Sequence, residues 1–287
     1  MPIAFQRALL TWSGGSRRDL PWRRSRDPWG ILVSELMLQQ TQVARVAPRW
    51  AAFLRRFPTP ADCALAPVGD VVRAWAGLGY NRRAVNLHRL ATVVVERHGG
   101  LLPGDLGALR ALPGVGPYTA RAVLAFAFER DVGVVDTNAA RVLARTAGRR
   151  LAAAEAQGRA DALVPAGQGW VWNQAVLDLG ATVCTRSDPR CGGCPVASFC
   201  GWRAGGQSGA DPAVGSAGVS RAQSTFAGSD RQGRGRLVDA LRRGPVVAAD
   251  LAAVMGWPDD PARAQRVAAG LVADGLARAG EGELRLP

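Results

Sequence analysis

Four of the chain's five cysteines, Cys184, Cys191, Cys194 and Cys200, fall within seventeen residues in the spacing C-x6-C-x2-C-x5-C. Prolines and glycines between them (Pro189, Gly192, Gly193, Pro195) turn the backbone sharply, so the four thiols can converge on one point. Any fold this chain adopts must accommodate that convergence. Zinc and an iron–sulfur cluster both accept four thiolates, and spacing leaves the two open. A pair of structural disulfides is the ordinary alternative. The N-terminus MPIAFQRALLTW carries no secretory pattern that would place the chain in an oxidising compartment. Cys63 stands apart, far upstream.

With 287 residues the chain can form one large or two smaller domains. No apolar run approaches the ~18 residues that cross a bilayer, so no membrane partner is expected. A soluble cytoplasmic protein associated with the nucleoid fits better. The net charge of +13, with a pI near 11.2, calls for a polyanionic partner, nucleic acid before anionic lipid. All 36 basic residues are arginine; there is no lysine. A guanidinium stays protonated and is no amine nucleophile, which excludes a Schiff base on a lysine side chain. With only His88 and His98 available, metal chemistry falls to cysteines and carboxylates.

Residues 1 to about 203 read as short helices joined by Gly/Pro turns, with no alternating run long enough for a sheet. Asp27-Pro28 supplies an N-cap followed by proline at the first helical position. The segments at Pro60-Ala61-Asp62, Pro67-Val68-Gly69-Asp70 and Pro103-Gly104-Asp105 repeat that punctuation. The fold class is therefore all-α. Residues 204–230 are rich in Gly, Ser and Ala and read as a flexible linker. Residues 231–287 suggest helices near 234–243, 248–256 and 260–274, then a hairpin turning at Gly280-Glu281-Gly282. That order is winged-helix-like, although a small helical appendage with no DNA role would read the same way.

The segment LPGVGPYTARAVLAF places Gly114 and Gly116 in a tight turn, with a helix starting near Pro117. Backbone N–H groups at such a helix start can bind a phosphate oxygen without a charged side chain. This is a helix-hairpin-helix signature, although Gly-rich interhelical turns are also common as plain structure. Twenty residues after Gly116, Asp136 in VVDTNAARVLAR is placed to cap a helix from Thr137 and to present a stably ionised carboxylate. Glu35 lies mid-helix among Ile31, Leu32, Leu36 and Leu38. The safer reading of a lone glutamate is a solvated helix face, whereas an apolar setting would keep a proton available on it.

The hairpin, the aspartate and the cysteine cluster, in that order, resemble the helix-hairpin-helix base-excision DNA glycosylases over residues 20 to about 202. Endonuclease III-type members carry a lysine two places after the hairpin's last glycine; here Tyr118 stands there. Together with LPWR (20–23), SELMLQQTQV (34–43) and GLGY (77–80), this tyrosine makes the chain similar to MutY-type adenine DNA glycosylases. The resemblance implies a monomeric enzyme that removes adenine mispaired with 8-oxoguanine or guanine in double-stranded DNA. It implies a [4Fe–4S] cluster on Cys184, Cys191, Cys194 and Cys200, in a domain of residues 1–20 and 131–203 beside a six-helix domain of 21–130. Glu35 falls on the family's general acid, Asp136 on the carboxylate facing the cationic sugar, Tyr118 on its supporting tyrosine and Asn138 on a neighbouring asparagine. Trp22, Arg23, Leu38 and Gln174 would line the pocket for the flipped adenine. Gln40 and Thr41 would meet the opposite base, with Leu78 and Tyr80 wedged into the stack. Simple core packing is the alternative for the apolar members of this set. Leu112, Gly114, Val115 and Gly116 would hold DNA phosphates, as would Arg186 and Arg190 in the loop between the first two cluster cysteines.

Two departures qualify the resemblance. Asn81 and Arg82 follow GLGY where many relatives have a second tyrosine. The 83 residues from Gly205 onward are too few and too helical for the β-rich Nudix-like domain that helps many members recognise 8-oxoguanine. A mismatch-specific thymine or uracil glycosylase of the same fold is the main rival reading. A non-catalytic, cluster-containing DNA-binding regulator is a remote one, because it leaves Glu35, Tyr118 and Asp136 without a purpose.

Overall fold

A computed structural model of the chain describes residues 2–216, 218 and 225–287. In chain order the helices are α1 (Pro2–Ser16), α2 (Pro28–Leu38), α3 (Val43–Arg56), α4 (Pro60–Leu65), α5 (Val68–Ala74) and α6 (Arg82–His98). They continue with α7 (Leu106–Arg110), α8 (Pro117–Ala127), α9 (Thr137–Ala147), α10 (Ala153–Ala162), α11 (Gly169–Thr182) and α12 (Gly201–Ala204). The C-terminal piece holds α13 (Asp230–Leu241), α14 (Leu251–Met255) and α15 (Pro261–Ala273), with strands β1 (Val246–Val247), β2 (Arg278–Ala279) and β3 (Glu283–Arg285).

The helix starts follow from local chemistry. Asp27 accepts from the Gly30 N–H at 2.8 Å, satisfying an orphan donor of α2, and Pro28 supplies a preset φ. Thr59 and Asp62 form a reciprocal capping box on α4. Asp260 caps α15 ahead of Pro261 by accepting from the Arg263 N–H at 2.9 Å.

The chain resolves into two compact units: residues 1–31, 104–106 and 116–222, and residues 32–103, 107–115 and 223–287. The first is built on α1 and α8–α11. Its core holds Phe5, Leu9, Trp172 and Leu179, with the Phe5 and Trp172 rings edge to face at 5.9 Å. Helices α9 and α11 approach so closely that a Cβ on Gly180 would lie 2.6 Å from the Asn138 Cβ. Glycine is the residue that permits this crossing. No α-helix among the described residues is long and apolar enough to cross a membrane.

In the second unit Phe53 packs edge-on to Trp75 at 6.0 Å, beside the fully buried Leu87 and Leu90 of α6. Its C-terminal piece has the expected three helices and hairpin, and it adds an edge strand. The antiparallel order is β1-β3-β2, with Val246 opposite Leu284. Two residues are too short a strand for alternation to announce it. This piece is docked on the helices of its own unit. The Arg242 guanidinium donates to the Val72 carbonyl at 3.1 Å and to Asn81 Oδ1 at 2.8 Å. The Gly69 N–H donates to the carbonyl of Pro287 at 2.9 Å, and Arg82 pairs with Asp274 at 3.3 Å.

Part of the segment expected as a flexible linker is anchored to the first unit. Asp211 pairs with Arg145 at 2.7 Å, and Ser216 Oγ accepts from the Leu151 N–H at 3.1 Å. Gly/Ser/Ala composition signals a weak intrinsic preference; it does not register two polar anchors. Residues 217 and 219–224 of that segment lie outside the described residues.

Candidate active site and metal centre

The first unit gathers one set of the expected residues around α9. Asp136 caps that helix, accepting from the N–H groups of Asn138 at 2.8 Å and Ala139 at 2.7 Å, and from Asn138 Nδ2 at 2.9 Å. Asn138 Oδ1 in turn accepts from Arg141 at 2.8 Å, and Arg141 also donates to the Cys184 carbonyl at 2.6 Å. A continuous hydrogen-bonded path therefore runs from the carboxylate to the first cysteine of the cluster. Burial pushes the Asp136 carboxyl above the usual carboxylate range, outweighing the three bonds from Ala139 and Asn138 and the Arg141 charge. The donors favour the anion and desolvation opposes them, which sets the direction of the shift.

Tyr118, in the first turn of α8, is half-buried against the same core. Trp22 and Gln174 are buried at 6% and 3% exposure. Arg23 is engaged by a carboxylate of α11: its guanidinium donates to both oxygens of Asp178, at 2.8 and 2.9 Å, and to the Arg18 carbonyl at 3.0 Å. Asp178 itself is fully buried. Burial alone would raise its pKa, yet the bonds and charges of Arg23 and Arg18 hold it below the usual range. Arg23 thus stabilises the short turn that carries Trp22.

The second unit gathers the other set. Glu35 is 4% exposed on α2, with Leu32, Val33, Leu36 and Met37 around it at 1% or less. Leu38 closes that helix, half-buried, and Gln40 is exposed just beyond it. The residue that organises this end was missed by sequence reasoning. Arg83 donates to the carbonyls of Leu36 at 2.6 Å, Met37 at 3.0 Å and Gln39 at 2.7 Å through one nitrogen. Its other terminal nitrogen reaches Thr41 Oγ1 at 3.2 Å, Leu78 O at 3.2 Å and Gly79 O at 3.0 Å. One guanidinium thereby ties the end of α2 to the GLGY loop. Burial pushes its pKa down to about 10, still cationic at neutral pH. In a chain whose every base is arginine, nothing in the sequence distinguishes this one. Two non-glycine residues at this end, Gln40 and Tyr80, have φ of 54° and 47°. Left-handed backbone costs about 1–3 kcal/mol at such residues and gathers at functional sites.

In the hairpin, Leu112 and Val115 are buried and contribute packing. The Val115 N–H is committed to the Leu112 carbonyl at 3.2 Å, while those of Gly114 and Gly116 have no acceptor among the described residues. Gly114 has φ of 78°, which the turn requires and only glycine adopts cheaply. Backbone N–H groups left without an acceptor ahead of the eleven-residue α8 suit an anionic oxygen.

All four clustered cysteines line one cavity, walled by Val142, Leu179, Val183 and Val196 and closed by Trp202. A zinc ion or an iron–sulfur cluster would each draw its ligands from these four thiols. The Trp202 indole N–H is buried with no acceptor among the described residues. An inorganic sulfide would satisfy it. Arg145, 2% exposed, holds the region together: it donates to Cys184 Sγ at 3.4 Å, to the Thr185 carbonyl at 2.7 Å and to Asp211, and lies 4.7 Å over the Trp202 ring. Arg186 and Arg190 sit exposed on the loop between the first two cysteines. The Arg190 N–H closes that loop onto Val183 O at 2.9 Å.

Residues 33–161 match the model of the HhH-GPD superfamily of base excision DNA repair proteins. The chain is 46% identical to an adenine DNA glycosylase of Mycobacterium tuberculosis, covering 97% of this chain and 92% of that one. It is 45% identical to an adenine DNA glycosylase of Mycolicibacterium smegmatis, covering 97% of each. Among solved structures it is similar to a thermostable thymine-DNA glycosylase, with a TM-score of 0.66 and 30% identity over 71% of this chain and 97% of that one.

Proposed function

The chain belongs to the adenine DNA glycosylase family, and from that membership we propose that it excises adenine mispaired with 8-oxoguanine or guanine, leaving an uncut abasic site. The observation that carries this reading is a likeness of 45–46% to two adenine DNA glycosylases along nearly the whole chain. It is supported by a buried glutamate on α2 and a donor-held aspartate at the start of α9. In the proposed reaction the Glu35 carboxylic acid donates its proton to adenine N7. The C1′–N9 bond breaks, and its electron pair leaves with the neutral base. The cationic sugar is stabilised by the Asp136 carboxylate with Tyr118 beside it, since preorganised charge facing developing charge lowers a barrier most. Water then adds to C1′ and gives up its proton to the Glu35 carboxylate. The target base must leave the duplex to reach these groups, and the family likeness assigns Trp22, Leu38 and Gln174 to its recognition.

Cys184, Cys191, Cys194 and Cys200 would hold a [4Fe–4S] cluster, which supplies a cross-link for the loop bearing Arg186 and Arg190. The common thiol-lined cavity and the unpartnered Trp202 N–H favour this assignment.

The likeness to a thymine-DNA glycosylase favours a second reading, removal of thymine or uracil opposite guanine. Tyr118 and Asp136 suit both reactions, whereas Glu35 suits a purine that must be protonated. Duplexes carrying A·8-oxoG, A·G, T·G and U·G separate the two. Adenine release from the first pair is expected, and release confined to the last two would replace this reading with the second.

A further inference from the structure

Residues 205–216, which follow α12 in the first unit, have no part in the chemistry proposed above, yet they reach the thiol-lined cavity at two points. Gln207 Nε2 donates to Cys191 Sγ at 3.4 Å, a bond to a clustered cysteine from beyond the last of the four. Asp211 accepts from two nitrogens of Arg145, at 3.1 and 2.7 Å, and the third donates to Cys184 Sγ at 3.4 Å. Two of the four thiols are therefore met by a donor that this segment supplies or holds. Gln207 has a left-handed backbone, with φ of 55°, and its N–H is fixed on the Trp202 carbonyl at 3.0 Å. A non-glycine residue keeps such a conformation only where its surroundings over-determine it. The far end of the segment is fixed as well. Pro212 and Ala213 are buried there, and Ser216 Oγ accepts from the Leu151 N–H.

An N–H aimed at sulfur does little for a free thiol and most for a thiolate ligand, whose negative charge it offsets. Hydrogen bonds to ligand sulfurs also raise the reduction potential of an iron–sulfur cluster, because the reduced form carries more negative charge. We propose that residues 205–216 form a clasp on the metal centre, in which Gln207 and Asp211 are positioning residues. Gln207 steadies the Cys191 thiolate directly. Asp211 keeps Arg145 on Cys184 and ties the segment down. The clasp slows loss of the bound group and raises its reduction potential. This rests on the reading of the four cysteines as ligands of an iron–sulfur cluster. A loop that served packing alone would need its anchors at Asp211 and Ser216, and would give the Gln207 amide no task.

The test uses the full chain purified with its metal, and follows both metal release into excess EDTA and the reduction midpoint. Gln207→Met keeps the length of an exposed side chain and loses the donor, so release should quicken about threefold to tenfold, the worth of one hydrogen bond. Its reduction midpoint should fall, with far-UV circular dichroism unchanged. Asp211→Ala also frees the segment and should release metal at least as fast as Gln207→Met. Val214→Ser lies on the same segment, 61% exposed, with a side chain that makes none of these bonds, and should match the wild type in both readings. Wild-type release from Gln207→Met, a midpoint that does not fall, or equal effects of Val214→Ser would each overturn the proposal. The cluster reading fails separately. One zinc per wild-type chain, without iron or sulfide, would remove it, and zinc release from Gln207→Met against the wild type would then decide the clasp.

Discussion

Glu35 and Asp136 carry the chemistry proposed here, and each makes a separable prediction. Glu35→Gln keeps shape and loses the proton, so base removal should drop by at least ~10²–10⁴-fold with mismatch binding largely kept. Asp136→Asn should be comparably impaired, since an amide offers no charge to the sugar cation. Near-normal single-turnover rates in either variant would remove that residue from its role. The pH dependence follows from the upward shift of Asp136. Its anion is the working form, so activity should fall with acid as pH drops through the raised value, above the ordinary aspartate range of about 3.9. A rate that stays flat down to that ordinary range would contradict the direction given by burial. Both carboxylates were legible as residues, because each sits in a motif. Arg83 was not legible, because its importance lies in six backbone and hydroxyl oxygens brought to one point by folding.

Among the elements, the cysteine-bearing loop and the C-terminal docking lend themselves to direct tests. Purified protein should be brown with broad visible absorption, as thiolate-bound iron–sulfur clusters are. Cys194→Ser should lose that colour together with DNA affinity, because the proposed cluster would hold the loop of Arg186 and Arg190. A colourless, active wild type with one zinc per chain would replace the cluster with a single ion. Arg242 caps the contact of α13 with the Val72 carbonyl and Asn81, so Arg242→Ala strands a buried acceptor and should cost about 2 kcal/mol, read as a lower denaturant midpoint. No change in midpoint would mean that the piece is not fixed as described. Helix starts were readable at α2, α4 and α9, where Asp or Thr precedes the apolar periodicity. Strand β1 and the anchored stretch through Ser216 were hidden, the first by its two-residue length and the second because Asp211 and Ser216 find partners 66 and 65 residues away.

For the whole molecule, composition sets a chemical limit that no fold can lift. With no lysine in the chain, the α-amino group is its sole amine, so borohydride should trap little covalent protein–DNA adduct and strands should stay uncut without heat or alkali. Efficient trapping would defeat this. The helical class, the hairpin and the order of motifs could all be read in advance, since each depends on neighbours in sequence. The path from Asp136 through Asn138 and Arg141 to Cys184 could not, since it joins residues 48 apart that share no pattern. That path also changes how a genetic variant at Gly180 would be interpreted. On α11 the position resembles any helix-interior glycine, and replacement by alanine would pass as benign, even favourable, on helix propensity alone. A methyl group there meets Asn138, which holds the oxygen of Asp136. Gly180→Ala would therefore press on the α9–α11 crossing and on the Asp136 cap at once, so a substitution that looks conservative on paper would cost both stability and base removal.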